Sequence, residues 1–239
     1  MQTLTDIGFV RPPLDLEAQR IDHADITDEK FWSLVPLVYD YSELPIPILY
    51  NLYCSVRYVA ETGIRGDIIE CGVHMGGSIM LIEHALLAGD TIPDRRVFAL
   101  DTFSGFLRRD EDLDVDLRSG AAVCIPEPGV YDYGFHSIDN MQSVGFERLH
   151  IVKGDVLKTI PDLDIEDIAI LRCDTDTYDT TKFELEQLYD RVVPGGVTII
   201  DDYGYTIGCK KAVDDFVAGR KVLLQRINPN VRTWIKVQA

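Results

Sequence analysis

A chain of 239 residues with 46% hydrophobic content suffices for one sizeable packed domain, or one domain with an extra lobe. A formal net charge of -17 argues against a nucleic-acid backbone or an anionic membrane surface as partner, and leaves a neutral or cationic small molecule or a metal cation; much of it also fits a plain solvated surface. The five cysteines (Cys54, Cys71, Cys124, Cys173, Cys209) form no C-x-x-C pair and read as reduced thiols. With no signal-peptide core and no apolar run near the roughly 18–20 residues that span a bilayer, the expectation is a soluble cytoplasmic protein.

Residues 1–30 are polar and broken by prolines, and read as an arm outside the core. Residues 47–62, PILYNLYCSVRYVAET, place Leu49, Leu52, Tyr53, Val56 and Val59 at helical spacing and stop before Gly63. Strands and helices then alternate. A strand GDIIECG (66–72) leads to a helix GGSIMLIEHALLAG (76–89) and a strand RRVFALD (95–101). A long irregular segment, 104–135, precedes a helix SIDNMQSVG (137–145) and a strand RLHIVKGD (148–155). A strand DIAILRCD (167–174) is followed by a helix TTKFELEQLYDRV (180–192), stopped by Pro194-Gly195-Gly196. A strand VTIIDD (197–202), a helix GCKKAVDDFVAG (208–219) and two short strands, VLLQRI (222–227) and RTWIKVQ (232–238), complete the chain. The alternation implies an α/β fold with a mostly parallel sheet and helices on both faces. The last two strands are joined by too few residues for a parallel crossover, so the last strand should run antiparallel.

Three strand ends carry the features of a ligand site. ECGVHMGGS (70–78) follows the first strand and opens a helix; Gly72, Gly76 and Gly77 allow a tight turn and close approach of a ligand. Glu70 would repel a phosphate but could accept from an ammonium or a ribose hydroxyl. The spacing is not G-x-G-x-x-G, and a purely structural turn is the alternative. The second strand ends at Asp101, placed to accept both hydroxyls of a ribose, with a helix cap as the alternative. Gly154-Asp155 form a third turn at the same sheet edge. Together these favour an adenosine-type ligand without phosphates, such as S-adenosylmethionine.

The other strand tips carry carboxylates. Asp174 ends the fourth strand and Asp201-Asp202 the fifth. Adjacent tips about 4.8 Å apart would bring three like charges together, which calls for a cation. Mg²⁺, a hard ion with oxygen ligands, fits, and would lower the pKa of a coordinated hydroxyl. Asp176 and Asp179 read instead as acids in the first turn of the next helix. His74, in the glycine loop, could touch cofactor or substrate. His23, His84, His136 and His150 show no metal pattern.

Several segments in this order resemble the macrocin/mycinamicin sugar O-methyltransferase family over roughly residues 40–239. They are YDYSELPIPILYNLYCSVRYV, GDIIECGVHMGGS, VFALDTFSGF, ILRCDTDTYDTT, LYDRVVPGGVTIIDDYG and GCKKAVDDF. The resemblance implies a Rossmann-like class I methyltransferase fold with a seven-stranded sheet, dependent on S-adenosylmethionine and Mg²⁺. Glu70, Gly72, Gly76, Ser78, Asp101, Ser104 and Asp155 then fall on the cofactor side, and Tyr41 and Ser42 in a segment closing over its methionine end. Asp174, Asp201 and Asp202 match the metal ligands, with Asp174 also the general base. The division implied is an N-terminal arm with lid helices (1–62) and a methyltransferase core (63–239) with an acceptor-binding insertion at about 104–135. Partners would be a glycosylated small molecule and further copies of the chain in a dimer or tetramer, with no nucleic acid or membrane. The family motif DTFEGLPEP is replaced by DTFSGFLRRDEDLD (101–114), which leaves the acceptor open. A catechol-like phenol would chelate the ion in the same way as a sugar hydroxyl. A nucleotide-dependent oxidoreductase conflicts with Glu70 and with the absent G-x-G-x-x-G. A catalytically dead binding module conflicts with the intact acidic triad.

Overall fold

In the computed structural model, which describes residues 11–89, 92, 94–107, 110, 112–119 and 132–238, seven strands form one sheet. They are β1 (Asp67–Cys71), β2 (Val97–Asp101), β3 (Leu149–Lys153), β4 (Ile168–Cys173), β5 (Val192–Ile200), β6 (Gln225–Arg226) and β7 (Arg232–Ile235). Their order is β3-β2-β1-β4-β5-β7-β6. β1 to β5 run parallel, and β7 pairs antiparallel with both β5 and β6. The order reverses between β1 and β4, so the chain leaves their tips in opposite directions and opens a crevice there.

The helices are α1 (Leu16–Asp22), α2 (Glu29–Val38), α3 (Ile46–Glu61), α4 (Gly77–Leu87), α5 (Phe135–Gln142), α6 (Val156–Thr159), α7 (Tyr178–Leu188) and α8 (Ile207–Val217). Alternate strand residues divide the core. Ile68, Val97, Ala99, Ile170, Val197 and Ile199 pack with apolar residues of α2, α3, α4 and α5. Ile69, Cys71, Phe98, Leu100, Leu171 and Ile200 pack with those of α7 and α8. Burial on both faces is why the strands read as continuous apolar runs.

Three expectations change. The N-terminal region is not all arm. α1 buries no residue, but α2 buries Phe31, Trp32, Leu34, Val35 and Val38 in the core that holds α3 and α4. Its apolar positions keep helical spacing, and Pro36, inside the helix, obscured that pattern. Second, Pro194-Gly195-Gly196 lie within β5. β5 spends six residues, Val192 to Val197, against the three from Ile168 to Ile170 of β4, a bulge that tolerates Pro and Gly. The glycines still pair, since Gly195 N donates to Lys236 O (2.7 Å) and Lys236 N to Gly196 O (2.9 Å). Third, β6 is only Gln225–Arg226, much shorter than 222–227.

Of the expected insertion, Arg108, Arg109, Cys124 and Tyr131 lie outside the described residues. Its described part is stitched to the fold. Asp114 accepts from the Tyr178 N–H at the start of α7 (2.9 Å), and Ile207 N donates to Val115 O (2.9 Å). Among the described residues no helix is long and apolar enough to cross a membrane.

Candidate active site

A cavity of about 330 Å³ opens at the tips of β1, β2, β4 and β5. It is roofed by Tyr41 to Leu44, and Phe106 and Leu107 contribute to one wall. Two glycines make its walls possible. Gly72, at φ +82°, turns the chain after β1 so tightly that a Cβ would overlap the Asp174 carbonyl. At Gly77 a Cβ would overlap the Tyr41 carbonyl, so the roof sits directly on the start of α4. The glycine loop is held from outside by α5. Ser137 Oγ donates to His74 O (2.6 Å) and Asn140 Nδ2 to Met75 O (3.0 Å).

The residues expected on the cofactor side separate into wall and support. Tyr41, Ser42, Gly72, Ser78, Asp101 and Asp155 line the cavity. Asp101 accepts from Val73 N and Phe103 N, both at 2.8 Å, which aims its carboxylate while leaving lone pairs for a ligand. Burial pushes its carboxyl up. Asp155 also caps α6, accepting from Leu157 N at 3.1 Å. Gly76 is the left-handed N-cap of α4 behind the wall. Ser104 stays exposed on the outer turn, and Thr102 lines the cavity instead.

Glu70 does not reach the ligand space. It is wholly buried, and its Oε1 accepts from Ser78 Oγ and from Arg172 Nη1. The cause is register. Glu70 and Arg172 are direct partners on β1 and β4, so their side chains leave the same face side by side. Arg172, only 1% exposed, reaches further. Its Nη1 lies 2.6 Å from Asp174 Oδ2 and its Nη2 2.8 Å from Asp201 Oδ1. The carboxylates at the strand tips thus already have one internal cation, a role that the sequence reading did not assign. An arginine inside the otherwise apolar ILRCD was the available signal.

One group of carboxylates lies beyond it. Asp174, Asp176 and Asp202 bring one oxygen each within 4.8 Å of one another, so the structure places Asp176, not Asp201, beside the other two. Asp176 is not a helix cap. Thr177 N donates to Thr175 O at 2.7 Å across it, and its φ is +64°, which makes it the centre of a tight γ-turn rare for a side-chain-bearing residue. Asp179 does sit in the first turn of α7. Burial raises the carboxyls of Asp174 and Asp202 well above the usual range, and neighbouring carboxylates add to it. Burial pushes Asp176 up to about 7. Asp202 Oδ2 is buried without a hydrogen-bond partner. Hard oxygen donors this close, one of them orphaned, fit a divalent cation such as Mg²⁺. His74, on the cavity wall, is pushed down to about 4 by burial and is neutral at pH 7, so it supplies no balancing charge.

The roof has a support that the sequence did not reveal. The Arg11 guanidinium lies 3.5 Å from the Tyr39 ring centroid. It donates to the carbonyls of Tyr39 (2.9 Å), Ser42 and Leu44 (3.0 Å).

A mixed sheet of this order, with a glycine turn after β1 and an acid at the tip of β2, defines a Rossmann-like class I methyltransferase fold. Residues 47–234 match the family model described as Macrocin-O-methyltransferase (TylF), and the chain belongs to that family. It is 32% identical over 176 residues to a demethyldecarbamoylnovobiocin O-methyltransferase of Streptomyces niveus, covering 71% of this chain and 65% of that protein. It is 30% identical over 175 residues to a mycinamicin III 3''-O-methyltransferase of Micromonospora griseorubida, covering 70% of this chain and 66% of that protein. The chain thus spans just under two thirds of the length of these relatives. Among solved structures it superimposes on the O-methyltransferase NovP with a TM-score of 0.72 at 27% identity, covering 83% of each chain. A calicheamicin methyltransferase shares the fold at TM-score 0.65 and 20% identity, over 98% of this chain and 97% of that one.

Proposed function

We propose that the chain transfers a methyl group from S-adenosylmethionine to a hydroxyl on the sugar of a glycosylated small molecule. The observation that carries this reading is one cavity with two chemically distinct ends. The end formed by Asp101, Asp155 and the glycine loop suits an uncharged adenosine and its ribose. The end formed by Asp174, Asp176 and Asp202 suits a hydroxyl that must lose a proton. The two relatives named above are, by their names, O-methyltransferases of demethyldecarbamoylnovobiocin and of mycinamicin III, which supports a small-molecule hydroxyl as acceptor.

Asp101 takes the ribose hydroxyls, and Tyr41 and Ser42 close over the methionine end. Asp174 and Asp202 would hold a divalent cation. Such an ion, when bound, lowers the pKa of a nearby hydroxyl. Asp176 is a better proton acceptor than the expected Asp174, because Asp174 is engaged by Arg172 and assigned to the ion. As the acceptor oxygen forms its bond to the methyl carbon, that carbon's bond to sulfur breaks. The electron pair stays on sulfur, and the hydroxyl proton passes to Asp176. The chain's main contribution is alignment of the two reactants. The homo-oligomer implied by the resemblance belongs to this proposal and is checked by light scattering.

The test is methyl transfer by the purified chain from isotopically labelled S-adenosylmethionine to a panel of glycosides and catechols, with and without chelator. Methyl ethers on sugar hydroxyls, lost on chelation, are expected. Transfer to catechols alone would replace the sugar reading with the phenol one. Undiminished turnover in chelator would remove the cation.

A further inference from the structure

Asp176 sits on a turn joined to α7 by a chain of threonine hydroxyls along the cavity wall. Thr175 and Thr177 flank it, and both place Oγ1 against Thr180 Oγ1 of α7, at 2.6 and 2.7 Å. Thr175 Oγ1 also donates to Glu184 Oε1 at 2.7 Å. Glu184 lies further along α7, wholly buried, beside the thiol of Cys173. Its Oε2 has no hydrogen-bond partner.

We infer that Glu184 is a positioning residue that fixes the Asp176 turn through Thr175. The inference rests on the proposed role of Asp176. Stability alone does not account for a carboxyl at this place. A buried polar atom left unpaired is unfavourable, and a well-packed apolar residue in such a site is often neutral or stabilising. Of the two side chains that meet the Glu184 carboxyl, Cys173 and Thr175, the second leads to the turn. A left-handed residue closed by a two-residue hydrogen bond needs its surroundings to hold it. Thr206 Oγ1 holds the carbonyl of Asp176 from the other side (2.8 Å), so the turn is gripped on both flanks.

The experiment compares Glu184→Leu, Glu184→Gln and Thr175→Val with the wild type. Glu184→Leu should keep or raise Tm and leave S-adenosylmethionine affinity unchanged by calorimetry, yet lower kcat about 10–100-fold, as a displaced reacting group does. Glu184→Gln retains an acceptor for Thr175 and should keep most of kcat. Thr175→Val should follow Glu184→Leu. A crystal structure of Glu184→Leu should show the turn at Asp176 opened. An unchanged turn overturns the inference whether or not the enzyme turns over. So does wild-type kcat in Glu184→Leu, or an equal loss in Glu184→Gln. If the wild type transfers no methyl group, the functional reading fails, and the crystal structure still decides the role of Glu184.

Discussion

The two ends of the cavity use carboxylates in opposite ways. At the β1 and β2 tips each acid has a fixed partner, although one oxygen of Glu70 stays unpaired. Asp101 is held by two backbone N–H groups, and Glu70 is paired with Arg172 beneath the floor. At the β4 and β5 tips Asp174 also pairs with Arg172, but Asp176 and Asp202 crowd against it, and one oxygen of Asp202 is left with nothing. A satisfied carboxylate is a rigid acceptor for a ligand's hydroxyls. An unsatisfied cluster stores repulsion that a cation or a proton relieves. The division of labour lies in which acids the fold compensates.

The largest effects should come from breaking the uncompensated end. Asp176→Asn should lower kcat by roughly 10²–10⁴-fold, as expected for loss of a general base, without rescue by added metal. Asp202→Asn should also lose turnover but recover part of it in excess Mg²⁺, since it weakens the cation's hold. If both variants respond alike to metal in steady-state assays, base and ligand are not separate residues.

Asp101→Ala sharpens the other end. Losing a charged acceptor should cost S-adenosylmethionine binding on the order of 1.5–3 kcal/mol, read by calorimetry, with metal affinity unchanged. Equal affinity in variant and wild type would move the ribose elsewhere.

A buried acid outside the site gives the comparison a control. Glu83 on α4 is wholly buried, with neither carboxyl oxygen hydrogen-bonded, and burial pushes it up to about 8. The folded state keeps a proton that the unfolded chain releases above its ordinary 4.5. Its contribution to stability is full below that pH and is lost as pH rises through 8. Tm should therefore fall between pH 5 and 8 by this route. Glu83→Leu should flatten that slope and raise stability by about 1–4 kcal/mol at pH 8, with kcat intact. A steep slope that survives the substitution would place its origin in the site acids.

The smallest effect concerns the roof. Arg11→Ala removes three donors from the 39–44 segment. It should weaken S-adenosylmethionine binding by about 1 kcal/mol, partly restored by Arg11→Lys. Unchanged affinity and dissociation rate would make Arg11 a surface strap with no bearing on the site.

The sequence by itself determined the alternation of strands and helices, the antiparallel last strand, and the placing of Asp101, Asp155, Asp174, Asp201 and Asp202 at strand ends. Those features are local: apolar period, glycine turns and the residue that closes each strand. It could not determine which acids are compensated, because that depends on neighbours distant in the chain. Glu70 reads as a ligand contact until strand register sets Arg172 beside it, 102 positions away. Asp176 reads as a helix-start acid until the γ-turn swings it toward Asp202. α2 does not stand out in the sequence until α3 and α4 offer its apolar face a partner. Charge pairing and burial are properties of proximity in space, and only the tertiary structure decides them.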